Sequence, residues 1–440
     1  MPTTKRITQN SPELKEALLS LMADSTDLRE LAAKAVQVVL NEIMSAQADD
    51  LCNAEYAQRS EERTNYRNGY RERDLATTAG NVTLSIPKLR RGSYFPDSII
   101  ERYSRADRAL VAAVAEMYLM GVSTRKVEKV VAELGVESMS KDQVSRMCAV
   151  LDEEVASFRE RTFADMKFPY LWLDATYVKC RRGSHVESSA VITAIAVGVD
   201  GIRRFVGFAV ADAESYPAWK EFLSDLRKRG IEGVKLVISD AHEGLVKAVE
   251  EVYQGAGWQR CIVHLERNIA KLCTGKKQKS KAMGLLTTVF REDDPALVRA
   301  LYHVAIDELQ GICPKAAKLL EEAEPDALAY LEYPKVHQKK LRTNNVQERA
   351  NREIKRRTKV VQVFPSTASL ERLVGAVLAE CDEDWSTRCY MSPESLEEVL
   401  DKETEPVTDD EQVVPVVTEE VKKKAITIIR LALDREDVAA

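Results

Sequence analysis

The sequence predicts an α/β fold: a mixed sheet, interrupted by an all-α insertion and preceded by helical and small β regions. Two stretches carry that prediction. Residues 170–240 alternate strand and helix patterns, and residues 265–335 are helical by pattern with no strand signal. In the first stretch, Tyr170-Leu171-Trp172-Leu173 is a short apolar run that ends in Asp174. Segments 188–198 and 203–211 are β-type, and Asp200-Gly201 between them is a strong hairpin signal. A helix follows at 217–229 with Pro217 in its first turn. A fourth strand, 234–238, ends at Ser239-Asp240. A hairpin, a helical crossover and a returning strand let the first and fourth strands lie side by side. Asp174 and Asp240, each just past a strand, would then meet at one edge of the sheet.

Composition sets the bounds. A chain of 440 residues, 45% hydrophobic and 30% charged, has room for two or three soluble domains. No run approaches a membrane span and the N-terminus lacks a signal-peptide apolar region, so a cytoplasmic protein with no membrane partner is expected. The eight cysteines are scattered without a Cys-x-x-Cys pair, which favours reduced thiols over a disulfide framework. The net charge of −6 conceals an asymmetry. Residues 335–359 hold ten Lys/Arg against two acids, Glu348 and Glu353, a surface suited to phosphates. Residues 401–420 are strongly acidic, with Pro406 and Pro415, and read as a linker or disordered tail.

In chain order, residues 1–58 read as helical, with Ser11-Pro12 opening one helix and a second running through Leu31, Val36, Leu40 and Ile43 after a break at 24–26. Residues 59–105 are basic and contain a strand at 80–87. Arg67 and Arg71, interleaved with Tyr66 and Tyr70, and Lys88, Arg90 and Arg91 suit DNA backbone contact. The alternative is a solvated ribbon with incidental charge. Residues 106–160 hold three short helices with stops at Gly121 and Gly135. Ser140 and Gln143 form a capping box at the third. Lys141, Gln143 and Arg146 on that helix resemble the reading face of a helix-turn-helix, although plain helical hairpins share the pattern. A catalytic domain is expected from two pieces, 161–264 and 339–395, around the insertion at 265–338. The acidic linker and a last helix occupy 396–440.

Chemistry concentrates on three acids. Hard divalent cations prefer carboxylate oxygens, so Asp174 and Asp240 could share a Mg²⁺ site; strand-end or helix-cap aspartates are the alternative. Cys261 and His264 invite a zinc reading but lack the second ligand pair that a structural site needs. In the stretch 341–357, Asn344 or Asn345 could cap a helix on which Glu348, Arg352 and Lys355 share a face. Glu348 among Arg349, Arg352, Lys355 and Arg356 suits a third metal ligand beside phosphate-holding cations. A Glu348–Arg352 surface ion pair is the alternative.

Together these elements resemble the Mutator-type transposases of bacterial insertion sequences. The resemblance rests on Asp174 after Leu-Trp-Leu, on Ser239-Asp240-Ala-His-Glu-Gly-Leu245, on Cys261-x-x-His264, and on Arg342-Thr-Asn-Asn-x-x-Glu348-Arg-x-Asn351-Arg-Glu-x-Lys355-Arg-Arg. Asn65-Tyr-Arg-Asn-Gly69-Tyr-Arg and Tyr118-Leu-x-Gly121-Val-Ser-Thr-Arg125 match as well, so the similarity spans roughly 30–395. It implies a ribonuclease-H-like domain whose Asp174, Asp240 and Glu348 hold two Mg²⁺ or Mn²⁺ ions. It also implies that Lys355 contacts DNA near the cleaved bond, and that Cys261 and His264 are a family signature rather than a zinc site. Members act on the terminal inverted repeats of their own element, often through a circular intermediate. A homo-oligomer, at least a dimer, on double-stranded DNA in the bacterial nucleoid is the expected setting. Two rivals stay open: a nuclease of the same fold that only hydrolyses, separable by a strand-transfer assay, and a non-catalytic repressor, separable by metal binding. The C-terminal 45 residues from 396 match nothing in the resemblance.

Overall fold

The computed structural model describes residues 27–97, 99–100, 106–136, 139–401 and 417–439, without the side chains at 124, 141 and 435–439. The helix expected at 11–22 and most of the acidic segment lie outside these residues. The chain divides into two compact units, Met1–Glu153 and Glu154–Ala440.

In the first unit, Asp27 caps the helix Leu28–Cys52 by accepting the Glu30 N–H at 2.9 Å, and Asn53 ends it in the left-handed conformation. Strands β1 (Arg67–Thr77) and β2 (Gly80–Leu89) pair antiparallel. The sequence pattern predicts a strand only at 80–87. Its partner was hidden by Asn68-Gly69, where the register slips between Arg67 and Tyr70 and Gly69 adopts φ +78°, a bulge inside the strand. Leu75, Val82, Leu84 and Ile86 of the ribbon pack with Met44 of the helix. The helices Arg108–Leu119, Thr124–Glu133 and Lys141–Met147 enclose Leu110, Val114, Val127, Val131 and Val144. Gly121 and Gly135 stop the first two at φ +77° and +85°, and the capping box of Ser140 and Gln143 starts the third.

Arg67 requires a correction. Its side chain is 2% exposed and pairs with Asp49, and its guanidinium donates to the Ser45 carbonyl at 2.6 Å and hydroxyl at 3.0 Å. It ties β1 to the helix and has no face left for DNA. Lysine cannot reproduce that fork. Arg67→Lys is therefore expected to lower stability by about 1–2 kcal/mol, read as an earlier urea transition; an unshifted transition would show that the fork is dispensable.

The second unit holds a five-stranded sheet in the order β5-β4-β3-β6-β7. Its strands are β3 (Tyr170–Arg182), β4 (His185–Val197), β5 (Arg203–Ala211), β6 (Leu236–Ser239) and β7 (Gly257–Arg260). The first three form an antiparallel meander; β6 and β7 run parallel to β3 and to each other. Gly201 turns the β4–β5 hairpin at φ +77°, and its N–H meets the Gly198 carbonyl at 2.9 Å. Pro217 lies in the first turn of the crossover helix Tyr216–Lys228, and Ser215 caps it. That helix and Glu243–Val252 cover the sheet through Trp219, Leu223, Leu226, Leu245 and Val249, packed on Leu171, Leu173, Ile192 and Val237. The expected strand at 170–174 proves much longer. After Asp174 the chain alternates buried Thr176, Val178 and Cys180 with exposed Tyr177 and Lys179, so β3 runs on to Arg182 and Asp174 lies inside it.

Beyond β7 the chain is helical, as expected: Ile262–Leu272, Lys276–Arg291, Pro295–Ile312, Pro314–Glu322 and Lys335–Leu341, then Asn345–Val361, Thr367–Ser386 and Pro393–Asp401. The last helix, Glu419–Ala439, packs on Lys276–Arg291 and Pro295–Ile312, burying Ala425 and Ile429. Among the described residues no helix is long and apolar enough to cross a membrane.

Candidate active site

The register of β3 and β6 sets the first two acids level. Tyr170, Leu171 and Trp172 pair with Leu236, Val237 and Ile238. Asp174 lies two residues beyond Trp172 within β3, and Asp240 two beyond Ile238, just past the end of β6; neighbouring strands lie about 4.8 Å apart. Asp174 Oδ1 accepts the Ala175 N–H at 2.9 Å, and Asp240 Oδ1 accepts the Ala241 N–H at 2.7 Å.

The helix Asn345–Val361 brings the third acid, and amides fasten it to the sheet. Asn344 Nδ2 donates to the Leu173 carbonyl at 3.0 Å. Gln347 Nε2 donates to the carbonyls of Trp172 at 2.8 Å and Thr193 at 3.2 Å, and Gln347 Oε1 accepts the Thr193 hydroxyl at 2.9 Å. One turn further, Asn351 Nδ2 donates to Asp174 Oδ2 at 2.8 Å. Positions 344, 347 and 351 share a helix face. Asn344 occupies the N-cap position, but its side chain makes no cap bond; it grips β3 instead. Glu348, beside Gln347, accepts Arg267 Nη2 at 2.6 Å, so its partner is an arginine of a neighbouring helix rather than Arg352.

Electrostatics mark the centre of the cluster. Burial pushes the Asp174 carboxyl up to about 7; the Ala175 N–H opposes this, and the charges of Asp240, Glu214 and Glu348 add to it. Glu214 sits just before the helix cap Ser215, where no spacing rule in the sequence singles it out. Gln347, Asn351 and Arg267 go unmarked too, and the i, i+4 spacing of Gln347 and Asn351 on a basic helix is the available signal. As the structure stands, no three Asp, Glu, His or Cys side chains among the described residues are gathered closely enough to hold one ion.

Cys261 follows β7, its N–H bonded to the Ser239 carbonyl at 2.8 Å, and starts the helix Ile262–Leu272. Its sulfur accepts the Asn344 N–H at 3.2 Å, which joins the starts of the two helices. Burial pushes this thiol up to about 11, so it is protonated at neutral pH. His264 Nδ1 is buried without a hydrogen-bond partner.

Arg349, Arg352, Lys355 and Arg356 are exposed on the Glu348 helix; Arg356 also pairs with Glu353 at 2.8 Å. Arg357 turns inward to Glu380. In the first unit, Arg71, Lys88, Arg90, Arg91 and Arg146 are exposed. The Arg71 guanidinium lies 5.4 Å from the Phe95 ring and that of Arg90 5.6 Å from the Tyr66 ring. The Gln143 carbonyl oxygen accepts the Ser140 N–H at 2.6 Å in the capping box. Lys141 begins its helix, and its side chain is outside the described residues.

A family model described as transposase, Mutator family, matches residues 7–388. The transposase for insertion sequence IS1081 of Mycobacterium tuberculosis is 42% identical over 392 residues, covering 89% of this chain and 90% of that one. The transposase for IS256 in transposon Tn4001 of Staphylococcus aureus is 37% identical over 369 residues, covering 82% and 93%. The transposase for ISRM5 of Rhizobium meliloti is 37% identical over 389 residues, covering 88% and 95%. The helix Glu419–Ala439 lies past the residues that the family model matches.

Proposed function

The chain belongs to the Mutator family of transposases, and from that premise we propose that it binds the terminal inverted repeats of its insertion sequence and performs divalent-metal-dependent strand cleavage and strand transfer there. The observation that carries this reading is that Asp174 of β3 and Asp240, just past the end of the parallel strand β6, each lie two residues beyond the last paired residues, with the Glu348 helix fastened to β3 through Asn344, Gln347 and Asn351. The strand order supports a ribonuclease-H-like sheet: an antiparallel meander followed by strands parallel to its first member.

Oxygen donors fit Mg²⁺ or Mn²⁺ by chemistry. The raised Asp174 carboxyl fits as well, because a buried carboxylate crowded by three others favours a cation over a bare charge. Asp174, Asp240 and Glu348 would hold two ions, which supply a more acidic water or hydroxyl and neutralise charge at the phosphate. Glu348 must first leave Arg267. Arg267 is 54% exposed, so this ion pair lies open to solvent and is screened by it. Asn351 and the Ala175 N–H hold the Asp174 oxygens in a fixed direction, and the exposed Arg349, Arg352 and Lys355 offer charge to the phosphates on either side. Two element ends must be joined, so the working form is at least a dimer on DNA.

Glu348→Gln tests the reading, with a duplex copied from the DNA that flanks the reading frame. The variant should bind that duplex as the parent does and fail to cut it in Mg²⁺. The parent should stop cutting in excess chelator and resume when Mn²⁺ is added. Cutting by the parent in chelator would remove the metal from the mechanism; cutting by the variant would remove Glu348.

A further inference from the structure

Between Arg267 and Lys281 the chain carries six Lys/Arg and no acid, within a protein of net charge −6. The run begins on the helix Ile262–Leu272, turns at Thr274-Gly275 and enters the helix Lys276–Arg291. It starts at the carboxylates, because Arg267 is the residue bonded to Glu348. His264, Arg267 and Lys271 are spaced i, i+3, i+7 and share one face that leads outward. Lys271, Lys276, Lys277 and Lys279 are all exposed. From Arg267 to Lys271 the helix rises about 6 Å, on the scale of the spacing between neighbouring phosphates of one strand.

The lysines after the turn sit where a helix disfavours them. Lys276, Lys277 and Lys279 occupy the first turns of a 16-residue helix whose opening turn holds no acid. There the backbone dipole is already positive, and each added cation is unfavourable. Repulsion of that kind is relieved when a polyanion lies across it.

We propose that this arm, Arg267 with Lys271, Lys276 and Lys279, is a second DNA surface of the protein. It holds backbone phosphates of the duplex leading away from the three acids and reads no sequence. The proposal deepens the transposase reading and rests on it for the identity of the polyanion. The arm and the exposed face of the Glu348 helix then flank the acids with basic surface from two separate elements.

The test uses the full chain with Lys271→Gln, Lys276→Gln and Lys279→Gln combined. A charge-matched control carries Lys228→Gln, Lys315→Gln and Lys318→Gln, which change exposed lysines off the two helices of the arm. Binding to the flanking-DNA duplex and to an unrelated duplex is titrated by fluorescence anisotropy over a salt series. The arm variant should lose about 2.7 from the slope of log affinity against log salt, at roughly 0.9 per phosphate contact, and lose it equally on both duplexes. The control should keep the parental slope. The thermal midpoint of the arm variant should equal or exceed the parent's, since repulsion at a helix start has been removed. A parental slope in a variant whose parent cuts element ends overturns the arm alone. A lost slope in a protein whose parent shows no metal-dependent cutting keeps the arm as a DNA surface and overturns the reading of the acids.

Discussion

Asp174→Asn should reduce cleavage of element ends by about 10³-fold or more and, in metal-free buffer at pH 8, raise the thermal midpoint of the protein. The first effect follows from losing a charged oxygen donor where several kcal/mol of transition-state stabilisation would be organised. The second follows from burial. The Asp174 carboxyl is held at about 7 against an ordinary value of 3.8, because burial and the charges of Asp240, Glu214 and Glu348 all oppose its ionised form. A group whose folded value is raised contributes stability that is fully present below its unfolded value and is lost as pH rises through the folded one. The wild-type protein should therefore lose stability between about pH 4 and pH 7 on account of this residue, by on the order of a few kcal/mol. The asparagine variant should lack that loss. Asparagine also fits the site: Oδ1 can keep the Ala175 N–H, and a flip of the Asn351 amide would turn its buried, unpartnered Oδ1 toward the new donor. Cleavage by the wild type should fall about tenfold per pH unit below 7, as protons compete with metal for Asp174. Parallel melting curves for the two proteins from pH 5 to 8 would remove the burial argument, and efficient cutting by the variant would remove the catalytic one.

The part of this arrangement legible in the sequence was the part written in apolar runs and turn residues. Asp200-Gly201 between two β-branched segments located the β4–β5 hairpin, and Pro217 located the crossover helix. From those two, the adjacency of the strands that carry Asp174 and Asp240 follows by topology alone. The extension of β3 to Arg182 is also written, as the in-and-out alternation from Thr176 to Cys180, but the charges of Lys179, Arg181 and Arg182 break the apolar run that marks the strand's start. What sequence could not supply was direction. Arg67 and Arg71 are chemically the same residue in the same basic stretch, yet one is locked to Asp49 and Ser45 and the other is exposed. Only the bulge at Asn68-Gly69 distinguishes them. Glu348 similarly reads as a partner for Arg352 on spacing, whereas packing of two helices brings it to Arg267, 81 positions earlier.

Gln347→Leu should destabilise the second unit by about 2–4 kcal/mol while preserving side-chain volume, and should lower cleavage along with stability. Gln347 is fully buried and serves three groups at once: the Trp172 carbonyl, the Thr193 carbonyl and the Thr193 hydroxyl. Leucine withdraws the donor and the acceptor together, and each buried polar group left short of a partner costs about 1–3 kcal/mol. Gln347→Glu should be worse than leucine. The carboxylate still accepts from Thr193 but cannot donate to either carbonyl, and it places a further negative charge one residue from Glu348 and near Asp174. The order glutamine, leucine, glutamate in urea midpoint, with an unchanged denaturant slope, is thus the expected result. If glutamate proved as stable as glutamine at pH 8, the amide would not be donating to β3. The Glu348 helix would then owe its position to Val346, Ala350 and Ile354, the apolar residues it buries alongside. The distinction matters for the reaction, because an apolar seat leaves the helix free to slide by fractions of a turn, whereas three amides bonded to β3 and to the β4 residue Thr193 fix where Glu348 begins its approach to Asp174 and Asp240.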